Sequence, residues 1–296
     1  MSGENVRFLV NPSAGGSAGR RALPAIRSGL PRGARLVVSR DGAHLAAEAR
    51  RAVDERVDRL VVAGGDGTFH LVVPALVGGS TCLGLVPVGR GNDFATSLGV
   101  PAAVPEAVEL ALTGRERLVD VGRAGEHRFA FYGGAGFDSA VSATADGHSR
   151  LLPSSITYVL ATVRTLVRFR PPTAVVEWQG GGFEGELMFA TVCNGPRFGG
   201  GMLIAPDAVM DDGLLDLVLV RRVSKPELLR VFPRVFRGTH IGHPAISIHR
   251  TPWVRMRFSP TALLGCDGEV LGPLPPAGIR FDLIPRALRV VSGTAV

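Results

Sequence analysis

An α/β domain with a parallel sheet and helices on both faces, followed by a β-rich, antiparallel, sandwich-like domain, is the fold class this sequence predicts. Three observations predict it. In the first third, short apolar runs alternate with segments of helical period, and the runs close in polar or glycine-rich turns. Past about Leu118, period-2 runs between glycine turns dominate. The chain has 296 residues, 46% of them apolar and 20% charged, which suits two domains with sizeable cores and argues against disorder.

Val6–Val10 is an apolar run ended by Asn11-Pro12, and a helix follows up to Gly29. Ala34–Ser39 reads as the second strand and His44–Arg56 as the second helix. Arg59–Ala63 is the third strand, closed by Gly64-Gly65-Asp66-Gly67, with a helix over Thr68–Leu76. Leu83–Val88 is the fourth, closed by Gly89-Arg90-Gly91-Asn92-Asp93. Ligands of parallel sheets bind beyond the carboxyl ends of the strands, and three polar turns (11–20, 64–70 and 89–93) occupy that edge. Strand-like runs follow at Arg128–Tyr132, Ala174–Trp178, Glu186–Cys193, Leu214–Val220, Trp253–Phe258 and Ile279–Ile284, with helical stretches at Ser154–Arg168 and Lys225–Arg237. The change of texture divides the chain into domains 1–120 and 121–285.

The net charge of +7 is almost all arginine, Lys225 being the only lysine. That balance suits nucleotide phosphates or an anionic membrane surface, and no helix-turn-helix, zinc-finger or RNP signature supports nucleic acid. Cys82, Cys193 and Cys266 are far apart, odd in number and set in apolar stretches, so reduced, buried thiols are expected. MSGENVRF has no basic n-region or apolar h-region, and no apolar run reaches the ~18 residues of a membrane span. A chain touching membrane only from outside is expected.

Gly64-Gly65-Asp66-Gly67-Thr68 is the strongest local signal. Glycines let backbone N–H groups converge on an anion near a helix N-terminus, and one acid in the turn suits Mg²⁺ bound to phosphate. An ordinary βα turn with a capping Asp fits the same spacing. The second glycine turn, Gly89–Asp93, can cap a helix or hold ligand and metal, and two such turns on adjacent strand ends favour a shared site. Asn11-Pro12-Ser13-Ala14-Gly15-Gly16, with Arg20 and Arg21 behind it, pairs a turn with positive charge but matches neither a P-loop nor a Rossmann fingerprint. Cys266-Asp267-Gly268-Glu269 places two carboxylates around a turn glycine. They can accept an alcohol's proton, or simply form a hairpin turn. His240 and His243 lack further ligands nearby. Along Lys225–Arg237 the arginines 230, 234 and 237 share one face, which fits either an anionic lipid surface or, by default, solvent over a core.

In combination and order, these motifs resemble the diacylglycerol-kinase-like lipid kinases over nearly the whole chain. The resemblance rests on NPSAGG (11–16), GGDGTF (64–69), PVGRGNDFA (87–95), GGAGFD (133–138), CNGPRFGGGM (193–202), APDAVMDDGLLD (205–216) and CDGE (266–269). It implies an N-terminal ATP-binding domain, to which 286–296 return, and a β-rich lipid domain. It implies ATP as phosphoryl donor, Mg²⁺, a membrane lipid alcohol approaching between the domains, and a place in phospholipid biosynthesis. The setting implied is cytoplasmic, peripheral to the inner face of the membrane, and a homodimer is one assembly open to the chain. By motif, Asp66 would organise Mg²⁺ and ATP, with Gly64, Gly65, Gly67 and Thr68 around the phosphates. Asn11, Ser13, Gly15, Ser39, Gly89, Arg90, Asn92 and Asp93 would complete the nucleotide site. Glu269 would be the proton acceptor with Asp267 beside it, and Asp212 would hold a structural Mg²⁺ with the carbonyls of Val209 and Leu214. Two departures stand out: His70-Leu71 where the family has Asn-Glu, and Arg90 where Thr is frequent. The rival readings are a kinase of a soluble alcohol such as NAD, which shares the GGDGT loop, and a nucleotide-binding regulatory protein without turnover.

Overall fold

The computed structural model describes residues 5–137, 139–141, 164–166 and 169–293. The chain divides into two compact units, residues 1–119 with 286–296 and residues 120–285.

In the first unit the apolar runs form parallel strands β1 (Val6–Val10), β2 (Arg35–Val38), β3 (Arg59–Gly64) and β4 (Cys82–Pro87). Their order is β2-β1-β3-β4, and Val290, in the last strand of the chain, pairs with Leu83 beyond β4. β1, β3 and β4 are buried at every residue, as strands covered on both faces must be. The helices are α1 (Ala14–Ser28), α2 (Gly42–Asp54), α3 (Asp66–Leu76), α4 (Asp93–Ser97) and α5 (Val104–Thr113). The chain steps outward from β1 to β2, then back past β1 to β3 and on to β4. Right-handed crossovers therefore place α1 on one face and α2 and α3 on the other. The packing agrees: α2 lies against α3, and α1 against α5. The reversal falls between β1 and β3, which makes the carboxyl ends of those two strands the switch point where such sheets open a crevice.

In the second unit, the end of β5 (Arg115–Ala124) turns through Gly125 into β6 (His127–Phe129), followed by β7 (Tyr132–Gly136), β8 (Thr173–Trp178) and β9 (Gly181–Cys193). Then come β10 (Leu215–Arg221), α6 (Lys225–Val231), a 3₁₀ turn (Phe232–Arg237), β11 (Ile246–Thr251), β12 (Trp253–Ser259), β13 (Leu263–Cys266), β14 (Glu269–Pro273) and the first part of β15 (Ile279–Ser292). The order is β14-β13-β7-β9-β8-β12-β15, with β10 on β9 and β11 on β10, all antiparallel. β9 serves two sets of partners: Gly181–Glu186 pair with β8, and Phe189–Cys193 pair with both β7 and β10. Phe129, Leu187, Leu217, Met256 and Phe281 fill the core between the strands.

Two sequence expectations are corrected. Arg128–Tyr132 is not one strand. It breaks between Phe129 and Tyr132 because the amides of Ala130, Phe131 and Tyr132 turn to the carboxylate of Asp267. Lys225–Arg237 is not one helix. Pro233, which has no N–H to continue the ladder, sits where α6 gives way to the 3₁₀ turn. The expected helix Ser154–Arg168 lies outside the described residues except for 164–166, which are helical. All three cysteines are free and buried, and burial pushes the Cys82 thiol up to about 12. Among the described residues, no helix is long and apolar enough to cross a membrane.

Candidate functional site

The first unit gathers its polar turns at the switch point. Asn11 follows β1, and its amide N donates to Ala63 O at 2.9 Å, extending the ladder by one bond. Its Nδ2 donates to Thr68 Oγ1 at 2.9 Å, tying the end of β1 to the first turn of α3, while its Oδ1 accepts from Ser13 N at 3.1 Å. Gly15, Gly16 and Ser17 all have positive φ, so the loop before the regular part of α1 runs with its amides in the left-handed sense that forms anion-holding concavities. Val88 N donates to Gly64 O at 2.9 Å, joining the ends of β3 and β4. Asn92, itself left-handed at φ 59, brackets Gly89: its Oδ1 accepts from Gly89 N at 2.8 Å and its Nδ2 donates to Gly89 O at 3.1 Å. Asp66 stands in the first turn of α3, where a helix N-terminus favours anionic charge, and its Oδ1 accepts from Phe94 N at 3.1 Å. That bond links the turns after β3 and β4. Gly67 and Arg90 are exposed and Asp93 is buried. A side chain on Gly16 would touch Arg90 Nη2 at 3.6 Å, so the guanidinium lies over the first turn.

Asn11, Gly15, Gly64, Gly65, Asp66, Thr68, Gly89 and Asn92 are thus brought together by hydrogen bonds or backbone contact. Ser39 ends β2, with its N donating to Val10 O at 2.8 Å and its buried Oγ left without a partner. Of the two departures, His70-Leu71 is on α3, where Leu71 is 39% exposed and lies beside Gly42 at the start of α2. The donor set here fits a Mg²⁺ ion held by one carboxylate and carried by phosphate.

In the second unit, the CDGE turn separates its two carboxylates. Asp267 is buried at φ 50. Its Oδ2 accepts from Ala130 N at 2.7 Å, and its Oδ1 accepts from Phe131 N and Tyr132 N, both at 3.1 Å. A carboxylate engaged by three amides clasps β13 to the β6–β7 link, and that is where the structure places this expected catalytic residue. Glu269, at the start of β14 opposite Cys266, is exposed. Asn194 continues the clasp and had no role in the sequence reading. Its Nδ2 donates to Asp120 O at 2.8 Å and to Ala130 O at 2.7 Å, from a fully buried position.

Asp212 was expected to hold a metal with the carbonyls of Val209 and Leu214. Its Oδ2 is instead ion-paired with Arg250 Nη2, and its Oδ1 accepts from Leu214 N at 2.9 Å. A guanidinium already supplies the positive charge at that turn, so these residues as arranged do not fit a bound cation. Beside them Asp216 is pushed up to about 6 by burial first and by Asp207 second. Among the described residues no group of three or more His, Cys, Asp or Glu is arranged to hold a metal.

An apolar cavity lies in the second unit, walled by Phe137, Phe189, Met202, Val218, Phe232 and neighbours. Among the described residues of its wall, His240 is the polar one. Its Nε2 is 3.1 Å from Ile204 O and must carry the hydrogen, and its buried Nδ1 has no partner. Burial holds this imidazole below its ordinary range. His243 faces Glu227 at 3.2 Å instead, so the two histidines do not converge.

Polar glycine turns and one acid at the switch point of a parallel sheet define an enzyme that handles phosphate. Residues 5–124 match the diacylglycerol kinase catalytic domain, and residues 133–292 match the YegS C-terminal NAD kinase beta sandwich-like domain. A Mycobacterium tuberculosis protein named diacylglycerol kinase is 32% identical over 97% of this chain and 94% of its own. Its Bacillus subtilis namesake is 28% identical over 92% of each. The crystal structure of a diacylglycerol kinase from Bacillus anthracis shares the fold, with a TM-score of 0.75 at 20% identity over 100% of this chain and 99% of that one. The chain belongs to the diacylglycerol-kinase-like family of lipid kinases. It is therefore a phosphotransferase, with ATP as the family's phosphate donor.

Proposed function

We propose that the chain transfers the γ-phosphoryl group of ATP, carried with Mg²⁺, to the free hydroxyl of diacylglycerol or a closely related lipid alcohol. The observation that carries the choice of acceptor is the apolar cavity of the second unit, whose lining offers an acyl chain the kind of surface that a polar acceptor such as NAD does not need. The relatives named diacylglycerol kinase support the same acceptor.

In this reading the first unit holds the donor. The left-handed turn at Gly15–Ser17 and the N-terminus of α3 present amides to the phosphates, and Arg90 and Asp66 set the charge around them. Mg²⁺, when bound, neutralises charge on the transferring group. Glu269 is the exposed carboxylate that takes the hydroxyl proton as the alcohol oxygen bonds to the γ-phosphorus and the bond to ADP breaks. The phosphorylated lipid would feed phospholipid synthesis, with the protein acting from the cytoplasmic side as a peripheral enzyme. The test is labelled ATP with Mg²⁺, offered diacylglycerol in non-ionic detergent micelles or NAD in solution. Label in the lipid phase supports the reading. Label on NAD alone, or ATP turnover with neither acceptor, overturns it.

A further inference from the structure

The segment from Lys225 to Ile241 has two different sides. It opens with a capping box, in which Ser224 Oγ accepts from Glu227 N at 3.3 Å and Glu227 reaches back to Ser224 N. α6 then runs to Val231, and the 3₁₀ turn runs to Arg237 before Gly238 ends it at φ 68. Leu228, Val231, Phe232 and Val235 point inward and form part of the wall of the apolar cavity. Outward stand Arg230, Arg234 and Arg237, all exposed, with Leu229 at 44% and Ile241 at 42% exposure. In a 3₁₀ turn residues three apart eclipse, so Arg234 and Arg237 project together. No ion pair holds Arg230, Arg234 or Arg237 among the described residues, whereas Glu186, Asp212 and Asp282 of the same unit are each paired with an arginine. Glu227 is the only acid between Arg222 and Thr251, and it is turned toward His243. Leu229 and Ile241 are two of only four large hydrophobics that stand exposed among the described residues, the others, Val38 and Leu71, being in the first unit.

We propose that this face is the membrane-docking surface, seated on an anionic bilayer. Unpaired arginines meet the lipid phosphates, while Leu229 and Ile241 enter the interfacial layer between them, the division of labour of an interfacial amphipathic segment. A solvated face over a core accounts for the arginines alone; Leu229 and Ile241, exposed in the same segment, supply the apolar part of an interfacial surface. Because the inner side of the same segment walls the cavity, an acyl chain drawn from the bilayer would pass only one layer of side chains to reach it. The proposal rests on the lipid-kinase reading for the use of the cavity, but docking itself can be tested apart from catalysis.

The experiment is co-sedimentation of the full chain with phosphatidylcholine vesicles, with and without phosphatidylglycerol. Neutralising R230Q/R234Q/R237Q together is expected to weaken binding to the anionic vesicles on the order of 100-fold, at about fivefold per basic residue. R230K/R234K/R237K should retain most of it, and L229S/I241S should weaken it at every salt concentration. Turnover of diacylglycerol in non-ionic micelles should be the same in all of them. Equal binding of wild type to neutral and anionic vesicles, or wild-type binding by the glutamine variant, overturns the proposal. So does a changed oligomeric state with vesicle binding untouched, which would assign the face to a second copy. Loss of micellar turnover in the wild type would sink the kinase reading and leave the docking result standing.

Discussion

Gly65 and Gly89 meet Cα to Cα. A methyl group on Gly65 would lie 2.7 Å from Gly89 Cα, and one on Gly89 would lie 2.5 Å from Gly65 Cα and 2.6 Å from Asn92 Oδ1. The two turns are therefore one object, locked by a contact that no side chain fits. Gly89→Ala must part the strand ends or break the Asn92 bracket. It is expected to destabilise the chain by about 1–3 kcal/mol, the usual cost of overpacking, and to weaken ATP binding. Urea midpoints and an ATP titration on one preparation decide it. Wild-type values for both would mean that the turns have slack.

Asp66 has a structural and an electrostatic part, and two substitutions separate them. Asp66→Asn keeps an oxygen for Phe94 N but removes the charge. Melting should change by less than about 1 kcal/mol, while turnover falls on the order of 10²-fold or more. Asp66→Ala should add roughly 1 kcal/mol of destabilisation by orphaning that amide. If the asparagine variant turns over like wild type across a Mg²⁺ titration, Asp66 is a helix-entry residue only.

His240 gives the second unit an acid-side limit. Its imidazole stays neutral in the fold because burial lowers its proton affinity, whereas the unfolded chain protonates it below about pH 6.5. Its contribution is thus complete above about pH 6.5 and is lost as pH falls, by at most ~1.4 kcal/mol per pH unit. His249, also lowered by burial, acts in the same direction. His240→Gln, which can still donate to Ile204 O, should flatten the fall in stability as pH drops below about 6.5. An unchanged slope, read from denaturant midpoints across that range, would remove His240 as the cause.

The fold class was legible because most of its signals are local. β1 is an apolar run bounded by polar residues on both sides, and β3 and β4 end at glycine turns that the eye can find. What escaped was written weakly or far away. β11 alternates Ile and Ser with His and Arg and is half-buried along most of its length, so it carries no clean period. β9 begins five residues before the expected Glu186, through Gly181 and Gly182, because its pairing with β8 holds residues that strands otherwise avoid. The same contrast runs through the site. The glycine turns are local, but the roles of Asp267 and Asp212 are set by amides near residue 131 and by Arg250, partners that no spacing in the sequence announces.

The last prediction divides the CDGE turn. Asp267 and Glu269 are two residues apart, yet one is buried under three amides and the other is exposed. Asp267→Asn puts an NH₂ against at least one N–H donor, leaving a buried amide unpaired and losing charge-assisted bonds, at about 3 kcal/mol. It should lower the melting temperature and, where the chain still folds, change turnover only modestly. Glu269→Gln keeps the shape and loses the base. Its melting curve should match wild type while kcat falls on the order of 10²–10⁴-fold, with ATP affinity kept because the residue faces the acceptor. Measuring melting, kcat and ATP Kd on both variants gives a crossed pattern if the roles are right. If Glu269→Gln retains kcat within a few-fold, the proton goes elsewhere. If Asp267→Asn loses kcat at an unchanged melting temperature, the buried carboxylate is the base, and its three amides serve to tune it.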